Sequence, residues 1–187
     1  MAKLYDHLDD KLIGFISKQK MFFVATAPLS GEGHVNLSPK GYDAFRVFGP
    51  KCVGYADFGG SGIETVAHIR QNGRITLMFC AFEGPAMILR LHGRGRVVQF
   101  DDPNFAEELK KFPGCGDHIR NLVFVDVERI GDSCGWGVPF YDFKGERDQL
   151  RRYVDNHDLD VWRDSRIKKN AQSIDGLPGL VPAQAAE

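Results

Sequence analysis

His34-Val-Asn-Leu-Ser-Pro-Lys-Gly41 and Tyr55-Ala-Asp-Phe-Gly-Gly-Ser-Gly62 decide how this 187-residue chain is read. Each puts short polar side chains at the end of an apolar, strand-like run. In the first, Pro39 cannot donate to a ladder, so pairing ends there and Lys40 is free to reach an anion. Strand alternation turns Leu37 into the core and sends Asn36 and Ser38 to the other side. In the second, Tyr55, Ala56 and Asp57 end a strand, and Gly59, Gly60 and Gly62 let backbone approach a ligand closely. Residues 63–71 then read as a short helix, with Ser61 or Glu64 placed to cap it and Thr65 in its first turn. A helix N-terminus turns unpaired N–H groups and a positive dipole end toward an anion. The two segments are close enough to be adjacent strands. Together they offer a lysine, two hydroxyls, an amide and backbone N–H groups to one anionic group. The alternative is a solvated lysine at a strand end and a plain Gly-rich turn. The loop is not G-x-G-x-x-G, and no βαβ frame surrounds it.

Outward from these segments the chain reads as short strands joined by hairpins. Residues 4–19 carry Leu4, Leu8, Leu12, Ile13 and Ile16 at helical spacing. Strands are expected at 21–27, 35–38, 45–48, 51–58, 74–82, 87–99 and 122–130. Gly93 and Gly95 suit a bend or bulge in the long run 87–99. Asp102-Pro103 opens a helix to about Lys111, and 145–156 reads as a charged helix. From about Ser165 the chain reads as a tail or arm. Hairpin connections argue against a doubly wound parallel sheet and for an antiparallel barrel with helices outside. The expected organisation is one barrel domain over 1–160, with the N-terminal helix, and a C-terminal arm over 161–187.

Composition narrows the function classes. A net charge of -1 gives no global attraction to nucleic acid or anionic membrane. No apolar run approaches the roughly 20 residues that span a bilayer. The N-terminus has no signal-like apolar stretch, so a cytoplasmic location is expected. Cys52, Cys80, Cys115 and Cys134 are scattered without metal-ligand spacing, and no metal site is expected. No Ser-His-Asp, Cys-His or paired-carboxylate set assembles locally. Trp136, between two glycines, reads either as a ring that covers another aromatic system or as a core anchor in a turn. Trp162, Arg163 and Arg166 read as a solvated helix face. Ser173-Ile-Asp-Gly-Leu-Pro178 is too apolar for simple disorder.

Five segments in order carry a family resemblance: Phe22-Phe-Val-Ala-Thr-Ala27, Ser38-Pro-Lys-Gly41, Tyr55-Ala-Asp-Phe58 with its Gly-rich loop and Thr65, Asn72-Gly-Arg-Ile-Thr-Leu-Met-Phe79, and Leu89-Arg-Leu-His-Gly-Arg-Gly95. The chain resembles the pyridoxamine 5′-phosphate oxidase-like family of flavin-binding split barrels over roughly residues 15–130. Cys134-Gly-Trp-Gly-Val-Pro139 and the stretch 169–178 resemble elements of one uncharacterised branch. The resemblance implies a mainly β protein with peripheral helices, built on a six-stranded antiparallel split β-barrel. It implies a homodimer with two FMN molecules at the interface, each touched by both chains, and an arm docked on the partner. By motif position, Asn36, Leu37, Ser38, Pro39 and Lys40 line the flavin edge, Tyr55, Ala56 and Asp57 continue that wall, Thr65 approaches the phosphate, Arg90 reaches across the interface, and Trp136 is a candidate cover. The pattern departs from the true oxidases, whose matching strand ends in Leu-Leu-Lys and whose phosphate loop holds a Ser-x-Lys. Here the loop is longer and lysine-free, so oxidation of pyridoxamine phosphate is not implied. The expected function is an FMN-dependent oxidoreductase acting on a small molecule. A non-catalytic flavin carrier or redox sensor, and a split barrel holding a deazaflavin or haem, stand as alternatives.

Overall fold

A computed structural model describes residues 3–182. Eight strands form one antiparallel sheet: β1 (Leu4–Tyr5), β2 (Phe22–Thr26), β3 (Asn36–Lys40), β4 (Phe45–Gly49), β5 (Cys52–Asp57), β6 (Arg74–Cys80), β7 (Ile88–Gln99) and β8 (Asn121–Ser133). Their order is β3-β2-β6-β7-β8-β5-β4, with β1 on the far end of β8. The sheet curls without closing its ladder. Side chains bridge the gap instead: Phe22 on β2 packs against Phe45 on β4 and Tyr55 on β5, ring centroids 5.2 and 5.5 Å apart. This is a split barrel, with eight strands where six were expected. β3 and β5 face each other across the split and are not ladder neighbours, contrary to the sequence reading.

Helices α1 (Asp10–Lys18), α2 (Glu64–Asn72), α3 (Phe105–Leu109), α4 (Gln149–Asp155) and α5 (Leu159–Lys169) lie outside the sheet. The helix expected from residue 4 starts at 10, because Asp9 caps it by accepting from the Leu12 N–H. Leu4 and Tyr5 pair with β8 instead. Gly73 ends α2 at φ 73°, a left-handed cap that few other residues adopt. In β7 a bulge falls between His92 and Gly93, and a side chain at 93 would collide with the Asp126 carbonyl. The expected tail begins instead as α5, capped by Asp158. The boundary expected between 160 and 161 falls inside that helix.

Two apolar cores result. The barrel interior holds Leu12, Phe22, Val24, Tyr55, Leu77, Phe79, Leu89 and Val125 among others. A second core lies on the outer side of β5 and β8 and joins Ala56, Ile63, Phe105, Phe112, Leu122 and Leu180. β5 and β8 are therefore buried on both faces. By contrast, Phe23 and Ala25, Leu37 and Pro39, Thr76 and Met78, and Ile88 and Arg90 share an open face across β3, β2, β6 and β7. Phe79 and Leu89 point into the barrel, while Met78 and Ile88 stay on the open side. No helix among the described residues is long and apolar enough to cross a membrane.

Candidate functional site

The alternation of β3 is the reverse of the expected one. Leu37 is 62% exposed, and Asn36, Ser38 and Lys40 form the half-buried row. Polar partners on β2, on α2 and across the split explain this. Asn36 Nδ2 donates to Thr65 Oγ1 on α2 (2.9 Å) and to Thr26 Oγ1 on β2 (3.2 Å). Thr26 Oγ1 lies 3.0 Å from Nδ1 of His68, a wholly buried ring that burial holds below the usual imidazole pKa and so neutral. Four residues along, roughly 13 Å at strand rise, Lys40 Nζ donates to Asp57 Oδ1 at 3.0 Å. Between the two ends sits Ser38, whose buried hydroxyl has no partner among the described residues.

Asp57 lies beneath a glycine loop and is 5% exposed. Arg120, 4% exposed, donates to Asp57 Oδ2 from Nη2 at 2.7 Å and from Nε at 3.0 Å. Burial alone would raise the Asp57 pKa, but Arg120 and Lys40 override it and hold the carboxyl well below the usual range. Asp57 therefore stays ionised, and two cations against one anion leave the cluster a net positive charge. Arg120 Nη1 also donates to the carbonyls of Gly60 (3.3 Å) and Gly62 (2.8 Å) and to Asn170 Oδ1 (2.9 Å). Asn170 Nδ2 donates to the Ser61 carbonyl at 3.0 Å. The loop 59–62 is thus tied from behind by Arg120, just ahead of β8, and by the C-terminal segment.

The sequence-derived residues separate into groups. Asn36, Ser38, Lys40, Asp57 and Thr65 come together around the split. Tyr55 belongs to the barrel core, where burial pushes its phenol up, and Ala56 belongs to the second core. Neither presents a side chain to a ligand. Leu37 and Pro39 lie on the open face beside Phe23, and Arg90 shares that face, donating to Ser133 Oγ at 3.0 Å. Trp136 is 86% exposed, which removes the core-anchor reading. Trp162 and Arg166 are buried rather than solvated, with the Trp162 ring against Gly59.

Sequence reasoning missed Thr26, His68, Arg120 and Asn170. Arg120 is a lone cation before a strand, and its carboxylate partner is 63 residues away. Asn170 carried a signal, since it sits in the stretch 169–178 that resembled a branch element. Also missed was a largely apolar groove of about 1470 Å³ between α1, residues 81–87 and residues 141–147. Phe15, Phe82, Tyr141 and Phe143 line it, and Pro39 and Lys40 stand at its edge. Tyr141 N–H on the Phe82 carbonyl (3.0 Å) and Tyr42 Oη on the Arg147 carbonyl (2.5 Å) fasten its outer wall.

Residues 8–129 match the family model for pyridoxamine 5′-phosphate oxidase. Pyridoxamine 5′-phosphate oxidase family protein ustO of Aspergillus flavus is 34% identical over 200 residues, covering 96% of this chain and 78% of that protein. HupZ of Group A Streptococcus is similar in structure, with a TM-score of 0.53 at 24% identity over 66% of this chain and 91% of that one. A Clostridium acetobutylicum protein related to general stress protein 26 of B. subtilis (pyridoxinephosphate oxidase family) gives a TM-score of 0.51 at 15% identity, over 76% of this chain and 99% of that one. At these identities the two structures speak to the fold alone.

Proposed function

The chain belongs to the pyridoxamine 5′-phosphate oxidase family, and on that premise we propose that it is an FMN-dependent oxidoreductase acting on a small molecule as a homodimer. The observation that carries the reading is the positively charged Lys40–Asp57–Arg120 cluster, joined to a glycine loop and to the partnerless Ser38 hydroxyl. A buried hydroxyl without a partner costs about 1–3 kcal/mol, and a flavin's ribityl chain or phosphate supplies the missing partner. These residues fit an anionic flavin. Lys40 keeps two of its three donors after serving Asp57. Thr65 and Asn36 hold polar groups at the other end of the row. When bound, the flavin supplies the electron transfer; the chain supplies binding, orientation and positive charge. The groove at Pro39 and Lys40 gives a second molecule room beside the flavin, which favours an enzyme over a carrier. Oxidation of pyridoxamine phosphate is not proposed, because the loop lacks the lysine of the true oxidases.

The partner we propose is a second copy of this chain. The open face around Phe23, Leu37, Met78 and Ile88 is an apolar patch of the kind that marks an interface, and Arg90 lies within it.

The test is an absorption spectrum and a titration. The purified protein is expected to be yellow, or to become so with added FMN, at about one flavin per chain. FMN at one hundred times its Kd should stabilise the fold by about 2.7 kcal/mol. A Soret band would point to haem, a deazaflavin spectrum to that cofactor, and failure to bind any flavin would remove the reading. Flavin binding without turnover of a reduced nicotinamide cofactor, or of oxygen after photoreduction, would leave a carrier.

The same titration carries a second expectation. Lys40→Ala should weaken FMN tenfold or more and riboflavin far less, since a charge-assisted phosphate contact contributes about 1.5–3 kcal/mol. Equal weakening would assign Lys40 to the ring or to the groove it also borders.

A further inference from the structure

We infer that the C-terminal extension is a working part of the anion-binding end of the flavin site. Asn170, acting with Arg120, turns the carbonyls of Gly60, Ser61 and Gly62 inward, so that the N–H groups of Ser61, Gly62 and Ile63 face the anion. This rests on the flavin reading above and names the backbone groups that take the phosphate in a loop with no lysine.

The argument starts from peptide geometry. Every peptide bond described is trans, and across a trans peptide the C=O and the following N–H point in opposite directions. Three consecutive carbonyls are held from one side, by Arg120 at 60 and 62 and by Asn170 at 61. The N–H groups of 61, 62 and 63 are thereby set to the other side. Among the described residues none of the three donates to the chain's own backbone, and Ser61 and Gly62 are exposed. Aligned N–H groups running into a helix N-terminus form a concave anion site. Arg120 and Asn170 also bond each other at 2.9 Å, so neither can swing away alone.

One charge works against an incoming phosphate. The Glu64 carboxylate lies against Gly62, close enough that a methyl on Gly62 would collide with Oε2. Its Oε1 accepts from the Ile174 N–H at 3.3 Å. The extension therefore tethers the competing carboxylate as well as the carbonyls. The turn that presents Ile174 is itself fixed. Asp175 accepts from the His34 N–H at 2.8 Å and meets His34 Nδ1 at 2.6 Å. Gln172 bridges Pro178, and Leu180 is 2% exposed in the second core. Residues 130–182, which supply Asn170 and Ile174, lie outside the stretch that matches the family model.

Asn170 is thus a positioning residue, and its signature is the ratio of FMN to riboflavin affinity, which a general loss of structure leaves unchanged. Both affinities are measured by flavin fluorescence on the full chain. Asn170→Ala should weaken FMN tenfold or more while riboflavin stays within about twofold. Where that variant fails to fold, Ile174→Pro decides. Position 174 follows Ser173 in a turn closed by the Gly176 N–H on the Ser173 carbonyl, where proline fits, and the change removes the N–H that holds Glu64 together with a side chain that is 71% exposed. It should weaken FMN several-fold with no loss of melting temperature, and adding Glu64→Gln should restore the affinity. An FMN-to-riboflavin ratio that stays at the wild-type value in the folded variants overturns the inference and leaves the flavin reading intact. Wild-type protein that binds neither flavin overturns both.

Discussion

Asp57→Ala is expected to lower the stability of the folded chain by about 3–5 kcal/mol, the cost of leaving a buried charge without its partner. For a protein of this size that is a fall of roughly 6–20 °C in melting temperature. Arg120 is the reason. It is almost fully buried, two of its nitrogens are given to Asp57, and nothing apolar can replace that carboxylate. The pH dependence follows with a definite sign. The folded Asp57 carboxyl titrates well below its unfolded value of about 3.9. The stability it contributes is therefore complete above that value and drains away as the pH falls toward the folded one. Urea unfolding of wild type and variant between neutral pH and about pH 2.5 should show the gap narrowing on the acid side. A gap below about 1 kcal/mol at neutral pH, or one that does not change with acid, would mean that the pair is not the buried structural element described here.

The second large effect concerns the open face. Met78→Lys puts a cation opposite Arg90 in the β6–β7 register and next to Phe23 in the β2–β6 register. Within a single chain the side chain is half-exposed and the change is mild. At an interface it buries an unpaired charge, which costs about 2–5 kcal/mol, or roughly 30- to 4000-fold in the dimer dissociation constant. FMN affinity should fall with it, because a site shared by two chains links assembly to ligand. Arg90→Glu should do the same. Sedimentation at several concentrations, with and without FMN, measures both quantities. A monomer that binds FMN at full stoichiometry would end the shared-site picture.

Much of the barrel was legible because β2, β5, β6 and β7 announce themselves by apolar runs bounded with Gly, Pro and Asn. What alternation cannot say is which face is inside. For β3 the answer came from Thr26, Thr65 and Asp57, side chains on other elements that drew Asn36 and Lys40 inward. β1 was illegible for a related reason: two residues make a strand only because β8 runs on to Ser133 beside them. α5 was read only as a solvated helix face before a tail, because its buried side is carried by Trp162 and Arg166, and a buried arginine reads as a solvated one until its surroundings are known. The candidate site divided along the same line. Residues close in sequence to the glycine loop were found, and those that hold it from 58 or more residues away, Arg120 and Asn170, were not.

The second core bears on the order of events during synthesis. Its members run from Ala56 to Leu180, whereas the barrel core is complete by Ile130. At about 5–20 residues per second, a ribosome needs roughly 2.5–10 s to add the intervening 50 residues. Through that interval a nascent chain can close its barrel while the outer side of β5 and β8 still lacks Leu180, and the glycine loop still lacks the asparagine that holds it. On the proposal above, the anion-binding end is therefore completed later in synthesis than the barrel that carries it.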